Sequence, residues 1–531
     1  MSSNSAGVNG NLASTAARLD YLLLTGIATA ISIGALIFYY HQSAILLYGD
    51  AVAHINIARR VFDSRTPGLF QLGTVWLPLP HLLDIPFIVN DRLWQTGLGA
   101  SVPSMIAYLA GTLGVFRLVR GCASRAAAWI VALLFALNPN LIYMQATAMG
   151  ESLYLALFVW AVVYFSEFVR AANHDPALAR KALIKCGLAV SASMLVRYDG
   201  WFLAAVIVFA AIISLWRRSG LTGSLLKGLV SFVLLTGCTG ATFLAYNQIN
   251  YGNALEFANG PYSARAIQER SKTATMPTYP GENSLRDASL QFLKVSRMNV
   301  SEGRGEYYLF ALAVLALLGA VYFARRFLPW SILWAPALFY VLCLTWGSVP
   351  IYHPDWWPFS YYNVRYGLQL LPAIAVFVGL SVEFAARFFR ANIVVLVVAL
   401  MISGSYLTLW EKTPICLREA LANGRERMVL EQALAAELKK LPPSATLMMD
   451  CGAHSGAVQL AGIPFRRVLR ESNPPYWENA LKRPARSADY LVAFPGDALD
   501  QAIQRSPSDL ERVAIIGTPL QPGAIIYRSM R

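Results

Sequence analysis

The stretch YLLLTGIATAISIGALIFYY, Tyr21 to Tyr40, contains no charged residue. A helix of about 20 such residues crosses about 30 Å of hydrocarbon. The stretch is too long for the apolar core of a cleavable signal, and no small-residue cleavage site follows it, so it reads as an anchor. Before it, residues 1–17 are rich in Ser, Asn, Gly and Ala and predict a disordered tail. After it the same apolar texture recurs in blocks. Of all residues 56% are hydrophobic and 14% charged, where a soluble domain carries about a quarter charged.

The blocks predict eleven spans, near 21–40, 99–116, 126–143, 150–169, 184–197, 200–216, 228–248, 307–324, 329–346, 367–386 and 392–410. Basic residues gather in the short connections: Arg117, Arg120 and Arg125; Arg170, Arg180, Lys181 and Lys185; Arg217, Arg218 and Lys227; Arg325 and Arg326; Arg387 and Arg390. All fall on one side if the N-terminus is cytoplasmic. That bias accounts for the net charge of +14 without nucleic acid as a partner. The expected fold is an all-α polytopic membrane bundle of about eleven transmembrane helices, residues 18–410. Its large hydrophilic pieces, 41–98, 249–306 and 347–366, lie outside. The tail 411–531 mixes an amphipathic helix, Arg418 to Lys440, with β-rich runs at Tyr490–Phe494, Val513–Gly517 and Ala524–Tyr527. It predicts a small extracytoplasmic α/β domain. The six cysteines show no metal-ligand spacing; Cys416 and Cys451 share the outer region, as a disulfide or as two thiols.

Chemistry concentrates at the outer face. YGDAVAHINIARRVFDS, Tyr48 to Ser64, reads as a helix with an apolar stripe of Ala51, Ile55, Ala58 and Phe62. Asn56, Arg59 and Asp63 lie off the stripe, as in a helix lying in the membrane interface. Asp50 and His54 are four apart and face the same way; Asp50 is either a helix cap or a functional carboxylate. GTVWLPLPHLLDIPF, Gly73 to Phe87, has three prolines and predicts a bent, irregular segment, with Trp76 and Trp94 suited to an interfacial belt. Glu151 opens the fourth span. A carboxylate there is either a hydrogen-bonding partner for a neighbouring helix or functional. Arg197 and Asp199 read as a local ion pair. Arg365 either snorkels to headgroups or clamps a phosphate with its planar fork. The aromatic run His353 to Asn363, which contains Tyr362, suits a sugar or the interface.

Four segments in order, YGDAVAH, WLPLPHLL, TAMGESLYL and NVRYGLQLLP, resemble motifs of the GT-C glycosyltransferases. Within that superfamily they resemble most the branch of protein O-mannosyltransferases and lipid A aminoarabinose transferases. The resemblance covers about 20–410. It implies a GT-C bundle with a cavity at the outer face and a polyprenyl-phosphate-linked sugar donor. Asp50 becomes the catalytic carboxylate, Glu151 a second acid, and Arg365 the phosphate contact. The branch often has two adjacent acids where Ala51 follows Asp50. It has a lysine before the proline-leucine motif in its lipid A members, where Trp76 and Leu77 stand here. His54, Arg59 and His81 are candidates for the missing contacts: Arg59 and His81 toward the phosphate, His54, Trp76 and Tyr362 toward substrate. No cofactor is required by this reading, and a divalent cation is left open.

The expectation is an inverting transfer of a hexosyl or pentosyl group to a hydroxyl on a lipid, glycan or protein acceptor at a bacterial inner membrane, with Asp50 as general base. A transporter or flippase of a lipid-linked sugar is the rival. It would place its polar groups at mid-bilayer in broken helices. A membrane-anchored binding module working through the tail is a third possibility.

Overall fold

In the computed structural model, residues 3–216, 222–273, 275–276, 278–323, 328–473, 476–519 and 521–531 are described. Arg217, Arg218, Arg325 and Arg326 lie outside them. Eight helical stretches among the described residues are long and apolar enough to cross a membrane. They are Ala17–His41, Leu98–Arg120, Glu151–Ala171, Asp199–Trp216, Gly223–Tyr251, Pro329–Trp346, Val364–Ala385 and the apolar part of Ala391–Leu438. The first already begins as a helix at Ser3, inside the 1–17 segment expected to be disordered. Alanines at 6, 13, 16 and 17 suit that continuation.

The expected count of eleven is not reached. The span placed at 126–143 divides at Pro139 into Arg125–Ala136 and Pro139–Met144, each too short to cross. The span placed at 184–197 belongs to Pro176–Met194, whose first turns carry Arg180, Lys181 and Lys185. The span placed at 307–324 runs into residues outside the description; its described part is the helix Glu306–Phe323.

The chain forms two compact units. The first is Met1–Tyr39, Ser104–Ala146 and Gly150–Cys416. Its long helices pack side by side, Glu151–Ala171 on Pro176–Met194 and the latter on Gly223–Tyr251. The helix Leu285–Met298, in the second long hydrophilic stretch, turns Ala288, Phe292, Val295 and Met298 inward. These pack with Tyr340, Leu344, Val364 and Leu370 into one core, which seats the segment carrying Arg365. Asn299 ties this layer together. Its Nδ2 donates to the Val364 carbonyl (2.8 Å), and its own carbonyl accepts from Nδ2 of Asn138 (2.8 Å) and of Asn140 (3.2 Å).

The second unit is Tyr40–Pro103, Thr147–Met149 and Leu417–Arg531. It contains a five-stranded sheet of β1 (Leu447–Met449), β2 (Val468–Leu469), β3 (Tyr490–Ala493), β4 (Leu510–Ile516) and β5 (Ala524–Ser529), in the order β2-β1-β3-β5-β4. β1 pairs in parallel with β2 and β3, and β5 pairs antiparallel with β3 and β4. β1 and β2 are too short to show the alternation that exposes β3 to β5 in the sequence.

Two expectations for the first outer stretch change. The helix forms, as Gly49–Arg60, but Ala51, Val52, His54, Ile55, Asn56, Ile57, Ala58 and Arg59 are all buried, so it is no interfacial helix. Its polar residues find polar partners inside the unit. Asn56 Nδ2 donates to Ser455 Oγ (3.2 Å) and Gln459 Oε1 (3.0 Å), and Asn56 Oδ1 accepts from Trp94 Nε1 (2.9 Å). Trp94 is fully buried rather than part of an interfacial belt. The proline-rich stretch is a regular helix from Leu79 to Ile88. Pro78 takes the N-cap and Pro80 the first turn, where no amide hydrogen is needed, and only Pro86 lies inside.

Candidate functional site

Polar chemistry gathers at one place in each unit. In the first, Glu151 stands at the start of the helix Glu151–Ala171 with its side chain 1% exposed. Its Oε1 accepts from Arg197 Nη1 at 3.0 Å and from Arg365 Nε at 3.1 Å. Arg197 also donates through Nη2 to the Tyr340 hydroxyl (2.8 Å) and lies 3.4 Å from Asp199. The Tyr340 hydroxyl donates to Asp199 Oδ2 at 2.9 Å. The Tyr366 ring lies 4.8 Å from the Arg197 guanidinium carbon and 5.2 Å from that of Arg365. Two cations and two carboxylates therefore share one buried network. Taking charges out of water is costly, and the mutual compensation offsets that cost. Glu151 grips Arg365 by Nε, on the stem side of the fork, which orients the terminal amino groups.

Sequence reasoning placed Glu151 and Arg365 as candidates, and the structure brings them into direct contact. It read Arg197 and Asp199 as a local pair. That pair exists, but Arg197 reaches Glu151 as well. Tyr340 was missed. It sits within an apolar span, and only its hydroxyl among so many rings could have marked it.

In the second unit Asp50 is half-buried in the first turn of Gly49–Arg60. It is not the helix cap, a position held by Tyr48. The backbone just before it is gripped by the helix that runs to Leu438. Arg427 Nη2 donates to the carbonyls of Leu46 (2.7 Å) and Leu47 (3.2 Å), and the Tyr48 hydroxyl donates to Glu419 (2.9 Å). A Cβ at Gly424 would collide with the Leu47 carbonyl oxygen, so only glycine allows this approach.

One turn beyond Asp50, His54 Nδ1 lies 2.7 Å from His81 Nε2. The Trp76 ring is 5.2 Å from the His54 ring and is partly exposed. His81 is fully buried; burial first, then His54 and Arg60, hold its basicity well below the ordinary 6.5. Enclosure thus favours its neutral form. Asp84, one turn along the same helix, is held neutral by burial, well above the ordinary 3.8. Arg59 likewise faces protein. It donates to Asp63 (2.9 Å), Asp91 (2.6 Å) and the carbonyls of Ile88 (2.8 Å) and Val89 (3.2 Å), with the Trp94 ring 4.5 Å away. Those bonds tie it to its own loop.

Tyr362 is exposed and bridges to Tyr352 across the aromatic loop of the first unit. Beneath them His353 is buried against Gln291 Oε1 (3.1 Å), and burial pushes it down to about 4. All six cysteines are free, Cys416 and Cys451 among them. Among the described residues no group of three His, Cys, Asp or Glu side chains gathers as a metal site would need.

No protein-family model and no curated protein matches the sequence. The fold does match solved structures. The structure of ArnT from Cupriavidus metallidurans bound to undecaprenyl phosphate superposes with a TM-score of 0.61, at 13% identity, over 95% of this chain and 97% of that one. The apo form of ArnT from the same organism gives 0.55 at 13% identity, over 96% and 98%. An oligosaccharyltransferase from Archaeoglobus fulgidus scores 0.47 at 15% identity, over 94% and 72%, too low to carry an argument. With eight described helical stretches long and apolar enough to cross a membrane and near-complete coverage in both directions, this chain has the fold seen in the ArnT structures.

Proposed function

We propose that the chain is a glycosyltransferase that moves a hexosyl or pentosyl group from a polyprenyl-phosphate donor to an acceptor hydroxyl. The observation that carries the reading is the convergence of Arg197 and Arg365 on one buried oxygen of Glu151, in a chain with the fold of a protein solved with undecaprenyl phosphate. Paired planar guanidinium groups suit a lipid phosphate that must be bound and, after transfer, stabilised as a leaving group. Glu151 acts here as the group that orients them.

Asp50 serves as general base. Its carboxylate takes the proton of the acceptor hydroxyl as the oxygen attacks the anomeric carbon. The bond from that carbon to the phosphate oxygen breaks on the opposite face, and its electron pair leaves with the lipid phosphate. The anomeric configuration inverts. Each step runs on the chain's own residues. The acceptor is a lipid, a glycan or a protein hydroxyl. Trp76 and the loop of Tyr362 offer exposed aromatic surface for sugar rings. The N-terminus lies in the cytoplasm of a bacterial inner-membrane protein, with Asp50 and residues 411–531 outside, as the basic short loops favour.

The test incubates purified protein with a panel of polyprenyl-phosphate sugars and follows free lipid phosphate. Transfer releases it and flipping does not. Near wild-type release by Asp50→Asn would remove Asp50 from the mechanism.

A further inference from the structure

The helix that bears Asp50 is held at two points by the C-terminal part of the chain. Its start follows Leu46 and Leu47, whose carbonyls both accept from Arg427 Nη2. Its middle carries Asn56, whose side chain bonds Ser455 and Gln459. Both holds lead back to the short helix Ser455–Ala461. Arg427 Nη1 donates to Glu431 Oε2, one turn further along its own helix. Glu431 in turn lies against Gly456, the second residue of Ser455–Ala461. A Cβ there would come within 2.7 Å of Glu431 Oε1 and closer still to Oε2, so glycine alone admits the carboxylate. The Gly456 amide serves that carboxylate as a hydrogen-bond donor.

The Glu431–Arg427 pair is a costly means of stabilisation. The Glu431 side chain is 2% exposed and that of Arg427 12%. Glu431 Oε1 and Arg427 Nε have no hydrogen-bond partner among the described residues. Apolar residues often match or surpass a buried ion pair in stability, so the pair is weak evidence for a stabilising role. What it provides is direction. A guanidinium is a flat fork, and a carboxylate on one terminal nitrogen fixes where the other points. Here the other points at the two carbonyls just before the turn of Asp50. The Tyr48 hydroxyl, donating to Glu419 at 2.9 Å, ties the same turn to the same long helix.

We propose that Glu431 and Arg427 are positioning residues that set the place of Asp50, and that the tail domain supports catalysis through them by way of Gly456. This rests on Asp50 being the general base. The pair acts through the backbone of Leu46 to Gly49, which the chain joins directly to Asp50. A reacting group misplaced by about 1 Å can lose about 10²-fold in rate.

Two arms test the proposal on the full-length protein. In the first, kcat and KM are measured with a polyprenyl-phosphate sugar for Arg427→Lys, Glu431→Gln and Glu431→Leu. Lysine keeps the charge but has one nitrogen where the guanidinium uses two. Glutamine keeps an oxygen for Arg427, and leucine keeps none. Per folded molecule, kcat is expected to fall about 10- to 100-fold in Arg427→Lys and Glu431→Leu and less in Glu431→Gln, with KM held within about twofold. Where Glu431→Leu does not fold, the order of wild type, Glu431→Gln and Arg427→Lys carries the test. In the second arm, hydrogen exchange read by mass spectrometry follows the amides of Gly49–Arg60, with those of β1 and β3 as reference. Exchange in Gly49–Arg60 is expected to quicken about tenfold in Arg427→Lys and Glu431→Leu, the scale of one hydrogen bond to a charged group, while β1 and β3 keep their protection.

An unchanged kcat in folded Arg427→Lys and Glu431→Leu proteins, or unchanged exchange in Gly49–Arg60, would overturn the proposal. A wild-type rate in Asp50→Asn overturns the general-base reading instead, and the exchange arm then decides by itself whether the pair holds this helix.

Discussion

The two polar centres solve burial in opposite ways. In the first unit, Glu151, Arg197, Asp199 and Arg365 compensate one another through hydrogen bonds and ion pairs of 2.8 to 3.4 Å that include Tyr340. In the second, burial strips His81 and Asp84 of charge, and each keeps a polar atom without a partner among the described residues. A compensated network is suited to receiving a charged group such as phosphate, because its cations are already held in place. A neutral, underused cluster is suited to handling a proton, since small changes decide which nitrogen bears it.

Substitutions can break that contrast, and the largest effect is expected at Glu151. Glu151→Ala leaves two buried guanidinium groups without their shared carboxylate, a loss of about 3 to 5 kcal/mol in stability. A fall in the thermal unfolding midpoint together with lost donor turnover is the expected result. Asp50→Asn is the converse. It should cut kcat by about 10² to 10⁴ while the unfolding midpoint holds, read by lipid-phosphate release and a thermal scan on one preparation. Tyr340→Phe deletes the hydroxyl that serves both Arg197 and Asp199. It should cost about 1 to 2 kcal/mol in unfolding free energy, with activity falling less than in Glu151→Ala.

The smallest effects concern slopes with pH. Asp84 has its folded value raised above 3.8, so the folded protein holds a proton that the unfolded chain gives up. Its contribution is whole below pH 3.8 and declines as pH rises toward the folded value. Asp84→Asn should flatten that decline, by at most about 1.4 kcal/mol per pH unit. His81 has its folded value lowered below 6.5, so stability falls as the pH drops under 6.5 and the unfolded ring takes a proton. His81→Gln should remove that acid-side loss. Unfolding midpoints across a pH series check both.

Much of this was legible from residues alone, and the gaps have a physical pattern. Charge placement exposed Glu151 and Arg365, because a carboxylate and an arginine at the ends of apolar spans are costly there. Their contact could not be read, since 214 positions separate them. Tyr340 stayed hidden because a hydroxyl adds little to the apolar signal of its span. The helix after Asp50 was read as amphipathic from its own period. Its burial depends on Ser455 and Gln459, about 400 residues later. Fewer than eleven crossing helices are found among the described residues, where Pro139 and the cluster Arg180, Lys181 and Lys185 interrupt apolar runs that look continuous in a smoothed profile. The fold likeness to ArnT agrees with the order of four short motifs, none of which is persuasive singly.

The grip of Arg427 and Gly424 on the Leu46–Leu47 backbone has a consequence in time. The residues that fix the backbone before Asp50 come more than 370 positions later. During synthesis the turn of Asp50 is therefore made long before the helix Ile415–Leu438 that holds it. The later helix acts as a completion check on a turn that has waited for it.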